Sequence, residues 1–313
     1  MRLITKNNFG EEKAALLDNN NNVSHFFIRR PERLNLGEEL AGIIRKKDAV
    51  LRGYFVETEK KLTVFVPSRE TLTEGSRVCV KITKEARRGK DANGIFINAC
   101  QPFPSLSTTL STNFNITPEE IWDTLNLDEV LEDTLASEIV FADGASIIIE
   151  RTNACWTIDI DTKNSNKSFS ELNMLATEII AHEIKKRHIG GIIIIDFIGP
   201  KHKSEQINLE QHLKKLFHDD SQTKLMGWSK AKLFELTRSR TYAPLIDVFL
   251  DKTGESNTLT TVYKITDIFS KSPKVSSIEA HPNIIQILRE KLKNRVIFKT
   301  NIQKPIHFFD IKE

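Results

Sequence analysis

From about Leu36 to Ala99 apolar and polar positions alternate with a period of two, in the segments AGIIRK, AVLRGYFVE, KLTVFVP, SRVCVKI and GIFINA. Turn signals at Glu74-Gly75 and from Asp91 to Gly94 punctuate them. Such alternation belongs to strands with one buried and one wet face. About five short strands within roughly 65 residues predict a small closed β-barrel of the OB type. Ahead of it, residues 1–30 predict two or three strands, with KAALLD and SHFFIRR separated by the polar turn Asn19–Asn22.

Beyond the barrel the pattern changes. QPFPSLSTTLSTNFN reads as a Pro- and Ser/Thr/Asn-rich connector. Thr117-Pro118 and the acids after it read as a helix start, with Ile121, Leu125, Val130, Leu131 and Leu135 as an approximate apolar face. ASIIIE (145–150) and CWTIDI (155–160) read as strands about a turn at Thr152-Asn153. Ser168-x-x-Glu171 has the form of a capping box, opening a helix with Leu172, Leu175, Ala176, Ile179, Ala181 and Ile184 that stops at Gly190-Gly191. GIIIIDFI (191–198) is an uninterrupted apolar run, as in a strand buried on both faces. Strand, helix and strand make a βαβ unit. A further helix is expected over about 203–217, and SKAKLFELTRSRT reads as another, with a basic end at Arg238 and Arg240. A last unit from about Asp251 predicts a strand near 259–264, a helix near 282–293 opened at His281, and terminal strands in RVIFKT and IHFFDI. The fold class expected is mixed α/β without internal repeats.

Composition narrows the function classes. The 313 residues carry 45 Lys+Arg against 42 Asp+Glu, a net charge of +3, and 39% apolar residues, which fits an ordinary globular protein of about two domains. MRLITKNNFGEE lacks the apolar core of a signal peptide, and no apolar run approaches a spanning helix; a cytoplasmic protein without a membrane partner is expected. Cys79, Cys100 and Cys155 form no C-x-x-C pair, so neither a disulfide framework nor a zinc ribbon is expected. Walker A, G-x-G-x-x-G, G-x-S-x-G and H-E-x-x-H signatures are missing from the sequence, which removes the usual support for P-loop, dinucleotide, serine-hydrolase and zincin chemistry.

Two constellations carry candidate chemistry. In a βαβ unit both strands point the same way, and ligands bind beyond their carboxyl ends, where Asp159, Asp161 and Asp196 lie. Alternation puts Asp159 and Asp161 on one face. A single Asp at a strand end is ordinarily a turn former or cap. As a group the three make a hard-oxygen site suited to Mg²⁺ or Mn²⁺, and a carboxylate inside IIIIDFI needs a metal or cationic partner if buried. The second constellation is KITKEARRGKDANG, which supplies Lys84, Arg87, Arg88 and Lys90. A basic loop is most often simply solvated, and Phe55 or Phe65 alone could be barrel core. Together, aromatic and basic side chains on an OB surface are the parts of a single-stranded nucleic-acid platform.

In order along the chain, FFIRRPER, GYFVE, VFVPS, KEARRGK, TIDIDT, LATEI, HIGGIIIIDFI, ELTRSR and AHPNI through HFFDI resemble the ribonuclease E/G family of endoribonucleases. The resemblance implies an RNase H-like core (1–36 and 101–134) interrupted by an OB-type RNA-binding barrel (37–100). A DNase I-like catalytic subdomain (135–250) and a small C-terminal domain (251–313) would follow. It also implies Mg²⁺-dependent hydrolysis of single-stranded, A/U-rich RNA to 3′-hydroxyl and 5′-phosphate ends. Asp159 and Asp196 would hold the metal, with Asp161 as a third ligand. Phe55, Phe65, Lys84, Arg87 and Lys90 would contact RNA, with Arg238 or Arg240 on phosphates. Where the family has Asn this chain has Asp161, and where it has a second acid after the strand this chain has Gly199. The family's 5′-monophosphate sensor and its zinc-sharing cysteines have no counterpart, so no zinc is expected, and only a homodimer without a zinc link is allowed. The alternatives are a non-catalytic RNA-binding protein of the same fold and a ribosome-associated assembly factor.

Overall fold

The computed structural model describes all residues except 200, 201, 273, 294 and 313. Strands β1 (Arg2–Asn8), β2 (Glu11–Leu17) and β3 (Val23–Arg29) open the chain. The β2–β3 turn is fixed by Asp18, whose carboxylate accepts the Asn20 and Asn22 amides. The barrel follows as β4 (Glu39–Asp48), β5 (Gly53–Thr58), β6 (Thr63–Pro67), β7 (Arg77–Lys84) and β8 (Ala92–Ile97), closed in the order β4-β5-β6-β8-β7. It is the closed five-stranded barrel expected from the alternation, and it is consistent with an OB-like element. Its interior is Leu40, Ile44, Tyr54, Val56, Val64, Val66, Val80, Ile82 and Ala92, closed by Leu34.

The supposed connector contains helix α1 (Leu106–Phe114). Ser105 accepts the Thr108 amide as its N-cap, while Leu106 and Leu110 are buried. The helix expected from Thr117-Pro118 is not there. Pro118–Glu119 form the short strand β9, which pairs with β1 through Leu3↔Pro118 and Ile4↔Glu119. Pairing wins over the local helix signal, helped by the Arg2–Glu119 ion pair. Helix α2 begins later, at Leu127–Thr134.

Next come β10 (Glu138–Phe141), β11 (Ala145–Arg151), β12 (Cys155–Asp161), α3 (Phe169–Lys186), β13 (Gly191–Asp196), α4 (Lys203–Leu216), β14 (Thr223–Trp228) and β15 (Phe234–Arg238). The sheet order is β10-β11-β12-β13-β15-β14, and β12 and β13 are parallel, as the βαβ reading requires. The capping box Ser168/Glu171 is present. FELTR is a strand rather than the end of a helix: Phe234, Leu236 and Arg238 are buried at a period of two, which a helix would scatter around its axis. Strand β13 is likewise not buried on both faces. Ile193 and Ile195 are inside, while Ile192 is 47% exposed and Asp196 is exposed.

Helix α3 ends before the two glycines. His188 takes the left-handed conformation (φ 54°), its amide bonds Lys185 O, and the Ile189 amide bonds Ile184 O; this is a Schellman stop with histidine where glycine is usual. The glycines serve Arg240 instead. Gly191 has φ 106°, and a Cβ there would run into the Arg240 guanidinium, which donates to Gly190 O.

The chain closes with α5 (Leu245–Phe249), α6 (Thr258–Lys271), β16 (Ser277–Ala280), α7 (Pro282–Leu292), β17 (Ile297–Thr300) and β18 (Phe309–Lys312). The strand expected near 259–264 is helix α6. Its β-branched run imitates a strand, but Asn257 caps a helix through the Thr260 amide. His281 caps α7, as expected. The chain divides into two compact units, one of Met1–Ala15, Phe27–Trp122 and Leu245–Glu313, the other of Leu16–Phe26 and Asp123–Pro244. Among the described residues no helix is long and apolar enough to cross a membrane.

Cys79 and Cys100 are joined in a disulfide, against the expectation that none is encoded. Their spacing of 21 residues has no recognisable form in sequence. The ladder that sets Cys79 opposite Ile97 brings Cys100 within reach.

In the second unit burial pushes the His188 imidazole down to about 3 and that of His25 to about 4. His188 Nε2 meets Phe26 O, and its ring lies 4.7 Å from Tyr242. Both histidines fold neutral, while the unfolded chain protonates them near pH 6.5. Stability is therefore fully present above pH 6.5 and is lost as pH falls toward the folded values. Melts of this unit at pH 7, 5.5 and 4.5 should lose several kcal/mol across that range, and His188→Gln should flatten the slope.

Candidate active site and nucleic-acid interface

The β12–β13 register sets Asp159 directly opposite Asp196. Residues Ile158, Ile160, Ile193 and Ile195 turn inward and bury that face of both strands. The two carboxylates therefore stand side by side on the other face, at the carboxyl ends of the only parallel pair among the described strands of this sheet. Both are exposed. Among the described residues neither has a hydrogen-bond or ion-pair partner, so two like charges lie on adjacent strands. This was the one placement in which a carboxylate in IIIIDFI needs no buried cation.

Asp161 lies on the same face, two residues further on. Its Oδ1 accepts the Lys163 amide at 2.9 Å, the turn-forming role expected of a lone strand-end Asp. Lys163 in turn pairs with Glu138. Among the described residues no group of three His, Cys, Asp or Glu side chains is arranged to hold a metal ion. Two adjacent unpaired carboxylates do fit Mg²⁺, which takes one or two protein carboxylates and fills its remaining positions from water and substrate phosphate.

The barrel carries the second set. Phe55 and Phe65 point away from the interior, because Tyr54, Val56, Val64 and Val66 occupy it. They are cross-strand partners, with ring centroids 5.2 Å apart. Gly53 makes room for them: a Cβ there would lie 2.6 Å from the Phe65 ring. The register extends the pair into one row across all five strands, Lys46, Phe55, Phe65, Asn93 and Lys84. Lys46 and Asn93 escaped the sequence reading, because register shifts between Ile44 and Lys46 and between Ile82 and Lys84 break the alternation.

After β7 the chain makes a tight turn in which Arg87 and Lys90 exchange backbone hydrogen bonds of 3.1 and 2.9 Å. Arg88 fastens this turn, its amide donating to Asp247 Oδ2 and its guanidinium to Asp251 O. Lys84 and Lys90 are exposed, and their ammonium groups have no partner among the described residues. Arg238 is placed otherwise than a phosphate contact would be. It is 7% exposed, donates to Asp220 Oδ2 at 2.9 Å and to Ile189 O at 3.3 Å, and so braces the sheet from within. Arg240 is half-buried over the two glycines.

Comparison with known proteins bears on this arrangement. Residues 61–241 match the Ribonuclease E/G family model. Ribonuclease G of Haemophilus influenzae is 33% identical over 141 residues, covering 43% of this chain and 29% of that protein. A chloroplastic ribonuclease E/G-like protein of Arabidopsis thaliana is 32% identical over 38% of this chain and 13% of its own length. A ribonuclease E/G-like protein of Porphyra purpurea is 26% identical over 60% and 39% respectively. The matched part thus spans less than a third of the first two relatives. The family match runs over more than half of this chain and takes in both acids and most of the barrel row: the chain belongs to the ribonuclease E/G family.

Proposed function

We propose that this chain is a Mg²⁺-dependent endoribonuclease that hydrolyses single-stranded, A/U-rich RNA in the cytoplasm, leaving 3′-hydroxyl and 5′-phosphate ends. The observation that carries this reading is the Asp159–Asp196 register, with both carboxylates exposed and unpaired. In that reading 135–250 is a DNase I-like catalytic subdomain, 37–100 the RNA-binding barrel, and 1–36 with 101–134 an RNase H-like core. Residues 251–313 form the small C-terminal domain.

Asp159 and Asp196, on adjacent strands, would hold the ion. When bound, Mg²⁺ supplies the positive charge that offsets charge developing on a backbone phosphate under in-line attack. Phe55 and Phe65 offer faces on which successive bases stack, and Lys46, Lys84 and Lys90 supply charge to the phosphates beside them. Asn93, between Phe65 and Lys84, can bond a base edge or sugar hydroxyl. Nothing in this platform requires a 5′-monophosphate.

Phe55→Ala and Phe65→Ala should each weaken binding of a short A/U-rich strand by about 1–3 kcal/mol, read by fluorescence anisotropy. Little stability should be lost, since both rings lie outside the barrel core. The proposal as a whole is tested by incubating the labelled strand with protein and Mg²⁺. Shorter products with 3′-hydroxyl ends support it, and an intact strand under saturating binding leaves a non-catalytic RNA-binding protein. That second reading is favoured by one observation: the third acid, Asp161, has its carboxylate engaged by the Lys163 amide.

A further inference from the structure

Helix α3 buries an asparagine in its second turn. Asn173 is 2% exposed and flanked by the fully buried Leu172, Ala176 and Thr177. A primary amide in such a place costs free energy unless its donor and acceptor are both used. Here they are: Nδ2 donates to Ile198 O at 2.9 Å, and Oδ1 accepts the Ile198 amide at 3.0 Å. The side chain makes with one backbone residue the pair of bonds that a neighbouring strand would make.

The place where this happens matters. The last ladder position of β13 with β12 is Asp196 opposite Asp159, and the last with β15 is Ile195 opposite Phe234. Asp196 is therefore the final strand residue, and beyond it the chain leaves the sheet. The next residue, Phe197, is buried and lies 5.6 Å from Trp228 and 6.4 Å from Phe234, measured between rings. The residue after that is the one Asn173 grips. Without the grip, the packing of Phe197 would still hold the carboxyl side of Asp196, but packing constrains position better than direction.

We infer that Asn173 is a positioning residue that fixes the Asp196 carboxylate against Asp159 by clamping the Ile198 backbone. This rests on the reading of the acid pair as a metal-holding site. Sites of that kind tolerate about 0.5 Å of misplacement, and outer-shell substitutions weaken metal binding about 10–100-fold. Asn173 also lines a cavity of about 580 Å³ with Phe169, Met174, Ile198 and Leu209, so the clamp is open to substitution without overpacking.

The test is Mn²⁺ titration, by electron paramagnetic resonance or calorimetry, of wild type, Asn173→Ala, Asn173→Asp and Asp196→Asn, alongside melting curves and cleavage kinetics. Asn173→Ala should bind Mn²⁺ about 10–100-fold more weakly and lose kcat by a similar factor, while KM for RNA stays within about threefold. Asn173→Asp should also bind Mn²⁺ more weakly than wild type, because an ionised carboxylate still accepts the Ile198 amide but repels the carbonyl oxygen to which the amide donated; it also decides the matter if the alanine variant does not fold. Wild-type Mn²⁺ affinity in both Asn173 variants, with binding lost in Asp196→Asn, overturns the inference while leaving the acid pair standing, whatever the melting curves show. Unchanged binding in Asp196→Asn removes the acid-pair reading, and the inference falls with it.

Discussion

Asp159→Asn and Asp196→Asn are each expected to lower cleavage about 10²–10³-fold, the scale on which electrostatic stabilisation of a developing charge is lost. Each should leave affinity for the RNA strand within about twofold, because removing a negative charge from an exposed surface does not weaken attraction to phosphate. The variants should fold normally. Both side chains are exposed and without partners among the described residues, so the substitution removes one of two like charges on adjacent strands and is neutral or slightly stabilising. Stability, binding and turnover measured together give a pattern that a structural role would not: a large loss in rate alone. If either variant instead loses RNA binding and rate in parallel, that Asp belongs to the binding surface and not to the cleavage step.

The second large effect is on folding. Arg238→Leu should destabilise the second unit by about 3–5 kcal/mol, the usual loss when one member of a buried ion pair is removed, and lower its melting temperature by on the order of 10 °C. The substitution strands Asp220, which is largely buried and otherwise bonded by the Thr223 hydroxyl and the Gln222 amide. Burial by itself pushes the Asp220 carboxyl up. The Arg238 guanidinium and these other bonds overcome that and hold it below the usual carboxylate range. The wild-type pair therefore contributes stability above about pH 4 that is lost as pH falls through the lower folded value, and the defect of the variant should shrink under acid. Arg238→Leu combined with Asp220→Leu should recover much of the loss. Were Arg238 a phosphate contact, its replacement would spare the melting temperature and weaken RNA binding instead.

The acid pair and Arg238 also mark where sequence reading succeeds and where it stops. The acid pair was legible because a parallel βαβ unit has few ways to be built: TIDIDT and IIIIDFI must lie side by side, and period-two alternation fixes which side chains share a face. What alternation cannot give is the other face. The run of isoleucines in β13 reads as wholly buried, yet Ile192 and Asp196 are exposed, since hydrophobicity alone does not say whether a second layer covers the strand. Arg238 shows the converse. A basic residue near the end of an apolar segment reads as a surface cation, and only the position of Asp220, 18 residues away, turns it inward.

The barrel was legible from its alternation down to its strand count, but its interface was only half so. Phe55 and Phe65 could be core or surface until Tyr54, Val56, Val64 and Val66 took the interior. Lys46 and Asn93 enter the row only through register, and register includes a bulge that no local rule announces. Segments whose local signals were plain but misleading have the same explanation. Pro118 looks like a helix start until β1 pairs with it, and TTVYKI looks like a strand until Asn257 caps it as a helix. Local preferences of a few tenths of a kcal/mol lose to pairing and burial. Asn173 carried no signal at all, because a buried amide in a helix is identified only by what it grips.

The most direct measurement is single-turnover cleavage of a 5′-labelled A/U-rich strand by wild type and Asp196→Asn, at protein concentrations that saturate binding, with Mg²⁺, with Mn²⁺ and with EDTA. The account predicts cleavage by wild type with either metal, none with EDTA, none by the variant, and the same rate for 5′-monophosphate and 5′-hydroxyl substrates. Saturated binding without cleavage under both metals, or cleavage that survives EDTA and Asp196→Asn alike, would contradict it.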